Sequence, residues 1–530
     1  MEKEKFYITT PIYYPSRKFT LGNCYTTVIC DALARFNKLL DKDVFFMTGT
    51  DEHGQKIAQA AKLAGKTEME YLDEIIDDAK NLWKLLDIQY DKFIRTTDDY
   101  HVSAVQKIFK KLYDKGYIYK SAYKGKYCVP CESFWTESQL VDGKCPDCHR
   151  EVIDQEEEAY FFKLSEFGDR LLELYKNNPE FLQPQSRVNE MVNNFIKPGL
   201  SDLCVSRTSV KWGIPVDFDP KHTVYVWIDA LTNYITGLGY EGADDSLYKK
   251  YWPADVHVIG KEIVRFHAII WPALLMALDL PLPKRIFGHG WLLFGGDKLS
   301  KSKSVASTEC VDPRILVPRY TADSVRYILL REIPFGSDGN YSTELFFNTI
   351  NSDLANNYGN LISRTFSMLK KYRNSVVPNY YESDEEIDKD LFVTIHNAVS
   401  ETRKYIENNF DVSKALASIF DIFSKANKYI EVTEPYRLAK DEEKKNRLDT
   451  VLRNLLESIR IGTILLSAFL PECSEKVLSA LHVENRKFAD AKEFYALESG
   501  DTVEELGILF PRIDAEKEFA ELAKLNEEKK

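Results

Sequence analysis

The fold of this chain is decided near its start, where residues 6–23 are FYITTPIYYPSRKFTLGN. The apolar residues 6–10 predict a β-strand that ends at Pro11, and a loop follows. Residues 44–47 predict a second strand. A helix between them is predicted from Asn23 onward by apolar side chains at helical spacing: Tyr25, Ile29, Ala32, Leu33, Phe36, Leu39 and Leu40. This order indicates an α/β fold with a doubly wound, Rossmann-type parallel sheet.

Length and composition indicate a globular protein of three or four domains. The 530 residues are too many for one core, and a hydrophobic fraction of 44% is ordinary. No apolar run is long enough to span a membrane, and the charged N-terminus lacks the apolar stretch of a signal peptide. We therefore expect a cytoplasmic protein without membrane contact. The net charge of −12 argues against nucleic-acid binding over the whole surface, but a local basic face could still bind RNA.

The rest of the chain divides by its apolar patterns. Alternation of strand and helix breaks at about residue 116, and strand-like runs resume at residues 224–228, 256–259 and 286–287. Beyond about residue 346 the spacing is helical and predicts a bundle. The predicted domains are a first sheet half (1–115), a connective insertion (116–222), a second sheet half (223–295), a linking region (296–348) and an α-helical bundle (349–530).

Four of the nine cysteines form two Cys-x-x-Cys pairs, Cys128 with Cys131 and Cys145 with Cys148. In a chain without a secretory signal, such pairs predict one tetrahedral, structural Zn²⁺ site rather than disulfides. A buried thiol group without metal is the alternative. Residues 145–149 also match the haem-attachment pattern Cys-x-x-Cys-His, but that interpretation leaves the first pair unexplained.

Two further segments have the chemistry of phosphate binding. Gly22 follows the first strand and opens a helix, where free backbone N–H groups and the helix dipole attract phosphate. Taken alone, this is more often an ordinary strand-to-helix turn. Residues 295–304 are GGDKLSKSKS, in which lysines could neutralise charge on a departing pyrophosphate or form a solvated basic loop.

These two segments resemble the two signatures of class I aminoacyl-tRNA synthetases, His-Ile-Gly-His and Lys-Met-Ser-Lys-Ser, at residues 20–23 (the first signature) and 298–302 (the second signature). The surrounding sequence resembles the methionyl-tRNA synthetases in particular. The likeness runs in the family's order through TPIYYP (10–15), GTDEHG (49–54), YVWIDA (225–230), FH (266–267), WP (271–272), GHGWL (288–292) and FGSDG (335–339).

The first signature departs from the family pattern, because Thr20 and Asn23 stand where the family has two histidines. In the second signature, Leu299 replaces a methionine. Outside both signatures, Glu262 stands where the family frequently has an aspartate. Threonine and asparagine can donate hydrogen bonds but carry no charge. A neutral hydrogen bond contributes about 0.5–1.5 kcal/mol, against about 1.5–3 for one to a charged group. Bacterial tryptophanyl-tRNA synthetases carry a similar Thr-x-Gly-Asn signature, so we expect an active enzyme with altered ATP handling.

The resemblance implies the site residues. Those expected to bind ATP, together with Mg²⁺, are Thr20, Gly22, Asn23, Gly260, Glu262, Lys298, Ser300 and Lys301, of which Thr20, Asn23, Lys298 and Lys301 are also expected to be catalytic. Those expected to line the methionine slot are Ile12, Tyr14, Asp51, Trp227, Ala230, Tyr234 and His267, with Asp51 on the amino group. An apolar, aromatic-lined slot suits the thioether of methionine.

For the RNA end, the resemblance implies that the helical bundle binds the anticodon. Asn360 and Arg364 share a helical face and are expected to contact the anticodon of initiator and elongator tRNA(Met). Tyr436 stands where the family commonly has a tryptophan that stacks on a base. Lys370, Lys371 and Arg373 lie nearby and could contact phosphates. Because no additional C-terminal tRNA-binding domain is recognised, we expect a monomer.

The sequence thus predicts ATP-dependent activation of L-methionine and its transfer to tRNA(Met). Another class I synthetase, for a branched-chain amino acid or cysteine, is the first alternative, although the insertion is short for an editing domain. The second is a degenerate paralogue that binds tRNA without charging it, which only the altered first signature supports.

Overall fold

The structure is a computed structural model that describes residues 3–131, 133–135, 137, 140–208, 210–294, 297–298, 312–334 and 336–528. Its strands are β1 Lys5–Thr9, β2 Asp43–Thr50, β3 Lys92–Arg95, β4 Ile118–Cys128, β5 Ser133–Trp135, β6 Ile153–Phe162, β7 Leu182–Gln183, β8 Leu203–Cys204, β9 Ser206–Arg207, β10 Thr223–Val224, β11 Val256–Gly260, β12 Ile286–His289, β13 Leu292–Phe294, β14 Asp297–Lys298 and β15 Gly339–Tyr341.

The helices of the first two-thirds of the chain are α1 Leu21–Leu39, α2 Gln55–Leu63, α3 Glu68–Leu85, α4 Asp99–Asp114, α5 Gly168–Asn177, α6 Gln185–Met191, α7 Val226–Thr236, α8 Ser246–Tyr251, α9 Trp271–Ala277, α10 Pro313–Tyr320, α11 Ala322–Arg331 and α12 Thr343–Thr349. Those of the bundle are α13 Asn360–Arg373, α14 Glu386–Asn409, α15 Val412–Thr433, α16 Pro435–Leu438, α17 Lys445–Leu466, α18 Pro471–Ala480 and α19 Ala515–Glu528. Wider π-helical turns occupy Val192–Ile196, Phe266–Ile270 and Ile350–Gly359.

A six-stranded sheet forms the centre of the first part of the molecule. Its order is β3-β2-β1-β11-β12-β7, and every neighbouring pair is parallel. This confirms the predicted doubly wound fold. β1 pairs with β2 on one side and with β11 on the other, so chain connections diverge from this point in opposite directions. Ligands of open α/β sheets bind in the crevice at the carboxyl ends of the strands at such a switch point.

The predicted strand over residues 224–228 is wrong. Only Thr223–Val224 is extended, and helix α7 begins at Val226. Every residue of α7 from Ile228 to Thr236 is buried. Polar residues do recur at helical spacing within α7, at positions 229, 232, 233 and 236, but the continuous apolar run at residues 224–228 is typical of a strand and hides the start of the helix. The predicted strands at 256–259 and 286–287 are confirmed as β11 and β12.

The residues between the two sheet halves form a second, antiparallel sheet in the order β5-β4-β6-β8. β4 pairs with β6 along ten residues, from Ile118 opposite Phe162 to Tyr127 opposite Ile153. The two Cys-x-x-Cys pairs lie at the far end of this hairpin, between the last residue of β4, Cys128, which belongs to the first pair, and the first residue of β6, Ile153. β7 also comes from this stretch of chain, but it joins the edge of the central sheet beside β12.

The C-terminal part is an α-helical bundle, as predicted. Helices α14, α15 and α17 form its centre, and α15 approaches α17 closely where Gly462 faces Phe423. A Cβ atom at position 462 would lie 2.4 Å from the Phe423 ring, so this contact requires glycine. Within the described ranges, no helix has the length and apolar character needed to cross a membrane.

A buried ion pair connects the sheet region with the bundle. Arg326 of α11 lies 2.7 Å from Asp31 of α1, and both side chains are fully buried. Arg326 also donates to the Phe469 carbonyl, at the start of the last bundle helices, and to the Leu86 carbonyl. Asp31 in turn accepts hydrogen bonds from Arg35 and the Gln89 backbone N–H. The helix that carries the first signature is therefore fixed to the linking region by charge.

We predict that Asp31→Asn destabilises the protein by about 3–5 kcal/mol, because it leaves the buried Arg326 guanidinium without a counter-charge. The measurement is the shift of the urea unfolding midpoint of the sheet region. Asp279→Asn, at an exposed ion pair with Lys115, is the control and should leave the midpoint unchanged. An equal response of the two variants would show that the buried pair does not fix α1.

Candidate active site

A cavity of about 920 Å³ opens at the carboxyl ends of the central strands. Its walls come from the loops after β1, β2, β11 and β12 and from helices α1 and α7. The predicted residues that line it are Ile12, Tyr14, Thr20, Gly22, Asn23, Asp51, Trp227, Ala230, Tyr234, Gly260, Glu262 and His267. Lys298 is described only as backbone of β14, and Ser300 and Lys301 lie outside the described residues. The structure thus gathers the whole predicted methionine slot and the first signature in one cavity.

The methionine slot is built on hydrogen bonds that fix its aromatic side chains. His267 donates from Nδ1 to the Ile263 carbonyl at 2.9 Å, so its Nε2 accepts from the Tyr234 hydroxyl at 2.7 Å. Burial lowers the pKa of His267 to about 4, which keeps the imidazole neutral at physiological pH. On the opposite wall, Trp227 stacks face to face on Phe266, with ring centroids 3.5 Å apart. The slot is therefore preformed, aromatic and uncharged except at Asp51.

The position of Asp51 follows from the extension of β1–β2 pairing beyond the strands. The Tyr13 N–H donates to the Gly49 carbonyl, and the Asp51 N–H donates to the Tyr13 carbonyl, both at 2.9 Å. This places the Asp51 backbone directly beside Ile12 and Tyr14. One carboxylate then stands at the mouth of an apolar slot, where it can bind an ammonium group.

Helix α7, which carries three of the seven predicted slot residues, is anchored by a buried carboxylate. Asp229 is 1% exposed and lies 2.6 Å from His53 Nδ1 and 2.8 Å from His101 Nε2. His101 is held in turn by Thr236 at 2.7 Å. Burial by itself raises the pKa of Asp229, but the two histidines outweigh burial and hold it below the ordinary 3.8. No pattern in the sequence indicated this network, because its members are separated by up to 176 residues.

The first signature forms the start of helix α1. The Asn23 side-chain oxygen accepts from the Thr20 backbone N–H at 3.0 Å and lies 3.4 Å from the Thr20 hydroxyl. This is a capping arrangement in which the third helical residue satisfies the N-cap donor. The amide NH₂ group of Asn23 is not used in it. A Cβ atom at Gly22 would meet only Thr20 Oγ, at 3.8 Å, so a ligand can approach the backbone there.

The opposite side of the cavity combines Glu262 with the segment after β12. The Trp291 indole N–H donates to the Glu262 carboxylate at 2.7 Å, and the Lys261 ammonium lies 3.8 Å above the Trp291 ring. Behind them, His289 donates from Nδ1 to the Gly290 carbonyl and accepts from Thr26 of α1 at 2.7 Å. Burial lowers the pKa of His289, so this imidazole is neutral too. Sequence comparison with the family had marked residues 288–292 but assigned them no role.

The four predicted metal ligands converge, since the Sγ atoms of Cys128, Cys131, Cys145 and Cys148 all lie within 4.8 Å of one another. The Cys128–Cys148 and Cys131–Cys145 distances are 3.4 and 3.7 Å. A tetrahedral zinc site with Zn–S bonds of about 2.3 Å requires Sγ atoms roughly 3.8 Å apart. The donor set and its size therefore fit Zn²⁺. We call residues 128–148 the knuckle.

The knuckle also belongs to the active-site wall. Cys131, Asp147, Cys148 and Arg150 line the same cavity as the methionine slot. Arg265 connects the two regions, because its guanidinium lies 5.1 Å from the ring centroid of Trp135 and 5.9 Å from that of Phe266. Trp135 packs in the knuckle core, while Phe266 stacks on Trp227. The metal site can thus support the slot mechanically.

Several lining residues were missed by the sequence analysis, chiefly the cations Arg17, Lys18, Lys56 and Arg150. Their residue types are the commonest on any surface, so only their placement around the cavity distinguishes them. Arg17 and Lys18 lie immediately before the first signature, and this proximity was the one signal available in the sequence.

The predicted anticodon residues lie on the bundle. Asn360 is exposed at the start of α13 and lines a groove of about 710 Å³ with residues 503–512, while Arg364 is half-buried one turn later. Tyr436 is 48% exposed, and its hydroxyl donates to Glu434 at 2.7 Å. Of the nearby cations, Lys370 pairs with Glu505 and Arg373 with Asp449.

Two family models match the chain. One, described as tRNA synthetases class I (M), covers residues 6–156 and 150–366, and the other, the anticodon binding domain of methionyl tRNA ligase, covers residues 377–527. The methionine–tRNA ligase of Clostridium acetobutylicum is 56% identical over 529 residues, which are 99% of this chain and 81% of the relative. That of Caldanaerobacter subterraneus subsp. tengcongensis is 57% identical over 528 residues, with 99% and 82% covered.

Solved structures give the same result. The Mycobacterium tuberculosis methionyl-tRNA synthetase in complex with methionyl-adenylate superposes with a TM-score of 0.90 at 41% identity. The match covers 96% of this chain and 100% of that one. Another structure, of the same enzyme in its apo form, gives a TM-score of 0.85 at 38% identity.

We predict that Asp229→Asn lowers the stability of the sheet region by about 1–3 kcal/mol at pH 7, because asparagine has one acceptor oxygen where the carboxylate has two, so that one buried imidazole loses its partner. The folded-state pKa of Asp229 lies below its unfolded value, so its contribution is complete above about pH 4 and is lost as pH falls through the folded pKa. Melting curves of wild type and variant should therefore differ by a constant amount from pH 7 to 5 and converge only in more acidic solution. A difference that shrinks already at pH 6 would contradict this assignment.

Proposed function

This chain belongs to the methionyl-tRNA synthetases, and on that premise we propose that it activates L-methionine with ATP and transfers it to tRNA(Met). The observation that carries the proposal is the single cavity that joins the methionine slot to the start of α1. Initiator and elongator tRNA(Met) are both proposed as substrates. Neither alternative, another amino acid or a tRNA-binding paralogue without activity, gains support from this geometry, since the slot is complete and the helix start is intact.

In the proposed reaction, an oxygen of the methionine carboxylate forms a bond to the α-phosphorus of ATP. The bond from that phosphorus to the bridging oxygen breaks, and pyrophosphate leaves with the electron pair. In the second step, the terminal ribose hydroxyl of tRNA attacks the acyl carbon and AMP leaves. No side chain needs to act as nucleophile, so the protein contributes positioning and electrostatic stabilisation.

The methionine slot is assigned as follows. The Asp51 carboxylate binds the amino group, and the thioether lies between the aromatic walls formed by Tyr14 and Trp227. Tyr234 donates its only hydroxyl proton to His267, which leaves the hydroxyl able to accept but not donate toward the ligand. Ile12 and Ala230 complete the apolar surface. Shape alone separates ligands that differ by one methylene by about 1–3 kcal/mol, so homocysteine is expected to compete.

The ATP side is assigned to Thr20, Gly22 and Asn23 at the start of α1, and to Gly260 and Glu262 after β11. Backbone N–H groups and the positive end of the α1 dipole face the cavity where Gly22 allows close approach. Lys298, Ser300 and Lys301 are proposed to bind the phosphates, with Mg²⁺ accompanying ATP.

For the remaining parts, we assign Zn²⁺ to the knuckle as a structural ion and the anticodon to Asn360, Arg364 and Tyr436. The ion would hold the four thiolates and so keep the knuckle against the slot through Arg265. A smaller stacking surface at Tyr436 than at a tryptophan should weaken tRNA binding without abolishing specificity. The protein is proposed to act as a cytoplasmic monomer, with the domain boundaries stated from the sequence.

We predict methionine-dependent ATP–pyrophosphate exchange by the wild type, and retained or increased exchange by the double variant Thr20→His, Asn23→His. The added imidazoles restore donors that can carry charge, although they remove the Asn23–Thr20 cap, which contributes about 1 kcal/mol to the helix start. Exchange is measured as labelled ATP formed at saturating and limiting ATP. Absence of methionine-dependent exchange in the wild type would refute the proposed function, and exchange dependent on another amino acid would favour a different synthetase.

We predict one zinc ion per chain in freshly purified protein, by elemental analysis, and its loss in Cys128→Ser. Removal by a chelator should increase hydrogen exchange in β4 and β6 first, because these strands flank the knuckle, while helices α14, α15 and α17, which pack on one another, remain protected. Cys473→Ser, at a buried cysteine in the bundle, is the matched control and should retain the metal. Protein that is fully folded but contains no zinc would contradict the assignment.

A further inference from the structure

The loop between β1 and the first signature is fixed at both of its ends. The Ser16 carbonyl accepts a hydrogen bond from the Tyr71 hydroxyl at 2.9 Å, and the Phe19 carbonyl accepts one from Arg314 at 3.0 Å. Arg314 is itself paired with Asp78 of α3, with 3.2 Å from its Nε to the nearer oxygen. The backbone of residues 17 and 18 is therefore held between α3 and α10, directly before the start of α1.

Both cations on this loop line the cavity, and Arg17 is the more buried of the two. It is half-buried and lines the same wall as Thr20 and Gly22. Burial lowers the pKa of its guanidinium from 12.5, yet an arginine remains charged at physiological pH. Lys18, in contrast, has a 76% exposed side chain with its ammonium 3.8 Å from Asp78, so much of its charge is compensated outside the cavity.

The side chains of the first signature and the histidines that line the cavity are neutral. Thr20 and Asn23 carry no charge, and the Asn23 oxygen is occupied by the cap. His267 and His289, the two histidines that line the cavity, are kept neutral by burial. Lys56 lies over the Tyr14 ring and donates to the Pro130 carbonyl, on the knuckle side of the cavity. Arg150 follows the knuckle in the chain, so Arg17 and Lys18 are the two cavity cations adjacent in sequence to the start of α1, and Arg17 is the more buried of the two.

We propose that Arg17 binds the triphosphate of ATP and stabilises the negative charge that pyrophosphate gains as the bond to the α-phosphorus breaks. This inference rests on the proposed function. A guanidinium can donate two parallel hydrogen bonds to phosphate oxygens, which orients the leaving group as well as neutralising it. No proton is transferred in this step, and the electron pair of the broken bond stays on pyrophosphate. Arg17 supplies the charge that Thr20 and Asn23 lack.

The test is ATP–pyrophosphate exchange with Arg17→Gln, Arg17→Lys and Lys18→Gln beside the wild type. A charged hydrogen bond of about 1.5–3 kcal/mol predicts a loss of roughly 10- to 100-fold in kcat/KM for ATP in Arg17→Gln. The KM for methionine should stay close to that of the wild type, because Arg17 is not among the residues assigned to the methionine slot. Arg17→Lys should recover part of the loss, and Lys18→Gln should lose less than Arg17→Gln.

A second arm places Arg17→Gln in the background Thr20→His, Asn23→His. If the imidazoles and Arg17 stabilise the same charge, the loss caused by Arg17→Gln becomes smaller there, and the two changes are non-additive. An unchanged kcat/KM for ATP in Arg17→Gln overturns the proposal. So does a loss that Arg17→Lys does not relieve, or one that raises the KM of methionine equally, since either indicates a structural role.

Direct binding of ATP separates this inference from the proposed function. Isothermal titration of ATP into wild type and Arg17→Gln requires no turnover, so it reports on Arg17 even if no amino acid supports exchange. Weaker ATP binding by the variant supports the role of Arg17 independently. If wild type and Arg17→Gln bind ATP equally and exchange equally, the role of Arg17 is rejected. The proposed function is decided separately, by methionine-dependent exchange in the wild type.

Discussion

The parallel pairing of β1 with β11 is the interaction on which the site depends. Ile8 lies opposite Val256 and Thr9 opposite His257, so two segments about 250 residues apart end at the same edge of the sheet. Because β1 also pairs with β2, the loops after all three strands open into one crevice. The methionine slot and the start of α1 are therefore consequences of strand order. Had β11 joined another edge, the residues that follow β11 and β12 would not reach those at the start of α1.

Buried polar groups then give the crevice its rigidity. The central sheet is covered on both faces, so each polar side chain inside it needs a partner. Asp229 forms hydrogen bonds with two histidines and so fixes α7. His257 Nδ1 forms a hydrogen bond of 2.8 Å with the Thr9 hydroxyl, and its ring stacks on the Tyr234 ring. Burial lowers the pKa of His257 well below its usual value, as it does for His267. Neutral imidazoles with both nitrogens occupied hold the aromatic walls in place without adding charge to the slot.

The two halves of the active site differ in how they are supported. The methionine side rests on the knuckle through Trp135, Arg265 and Phe266, which connects a metal-binding hairpin with the wall of a ligand slot. The ATP side rests on α1, whose start is capped by Asn23 and whose middle is tied to α11 through Asp31 and Arg326. Changes in the helical bundle can reach α1 through that ion pair. Thr20 and Asn23 thus still cap the helix, although neither can carry the positive charge of a histidine.

The sequence by itself determined the fold class, and it predicted the four cysteines that converge in the structure and the residues that line the cavity. The helix period in residues 21–40 was clear because α1 is long and has polar residues such as Asp31 and Arg35 between apolar ones at helical spacing, although most of its residues are buried. The Cys-x-x-Cys spacing is typical of a metal site. Only the tertiary structure decided that residues 226–236 are a helix, since the apolar run at residues 224–228 is equally typical of a strand. The same holds for the Asp229 network and for Arg17. Contacts between residues that are distant in the chain leave no local pattern in the sequence. The position of Arg17 in the cavity wall leaves none either, because arginine is common on protein surfaces. Both arise only when the strands have paired in their final order.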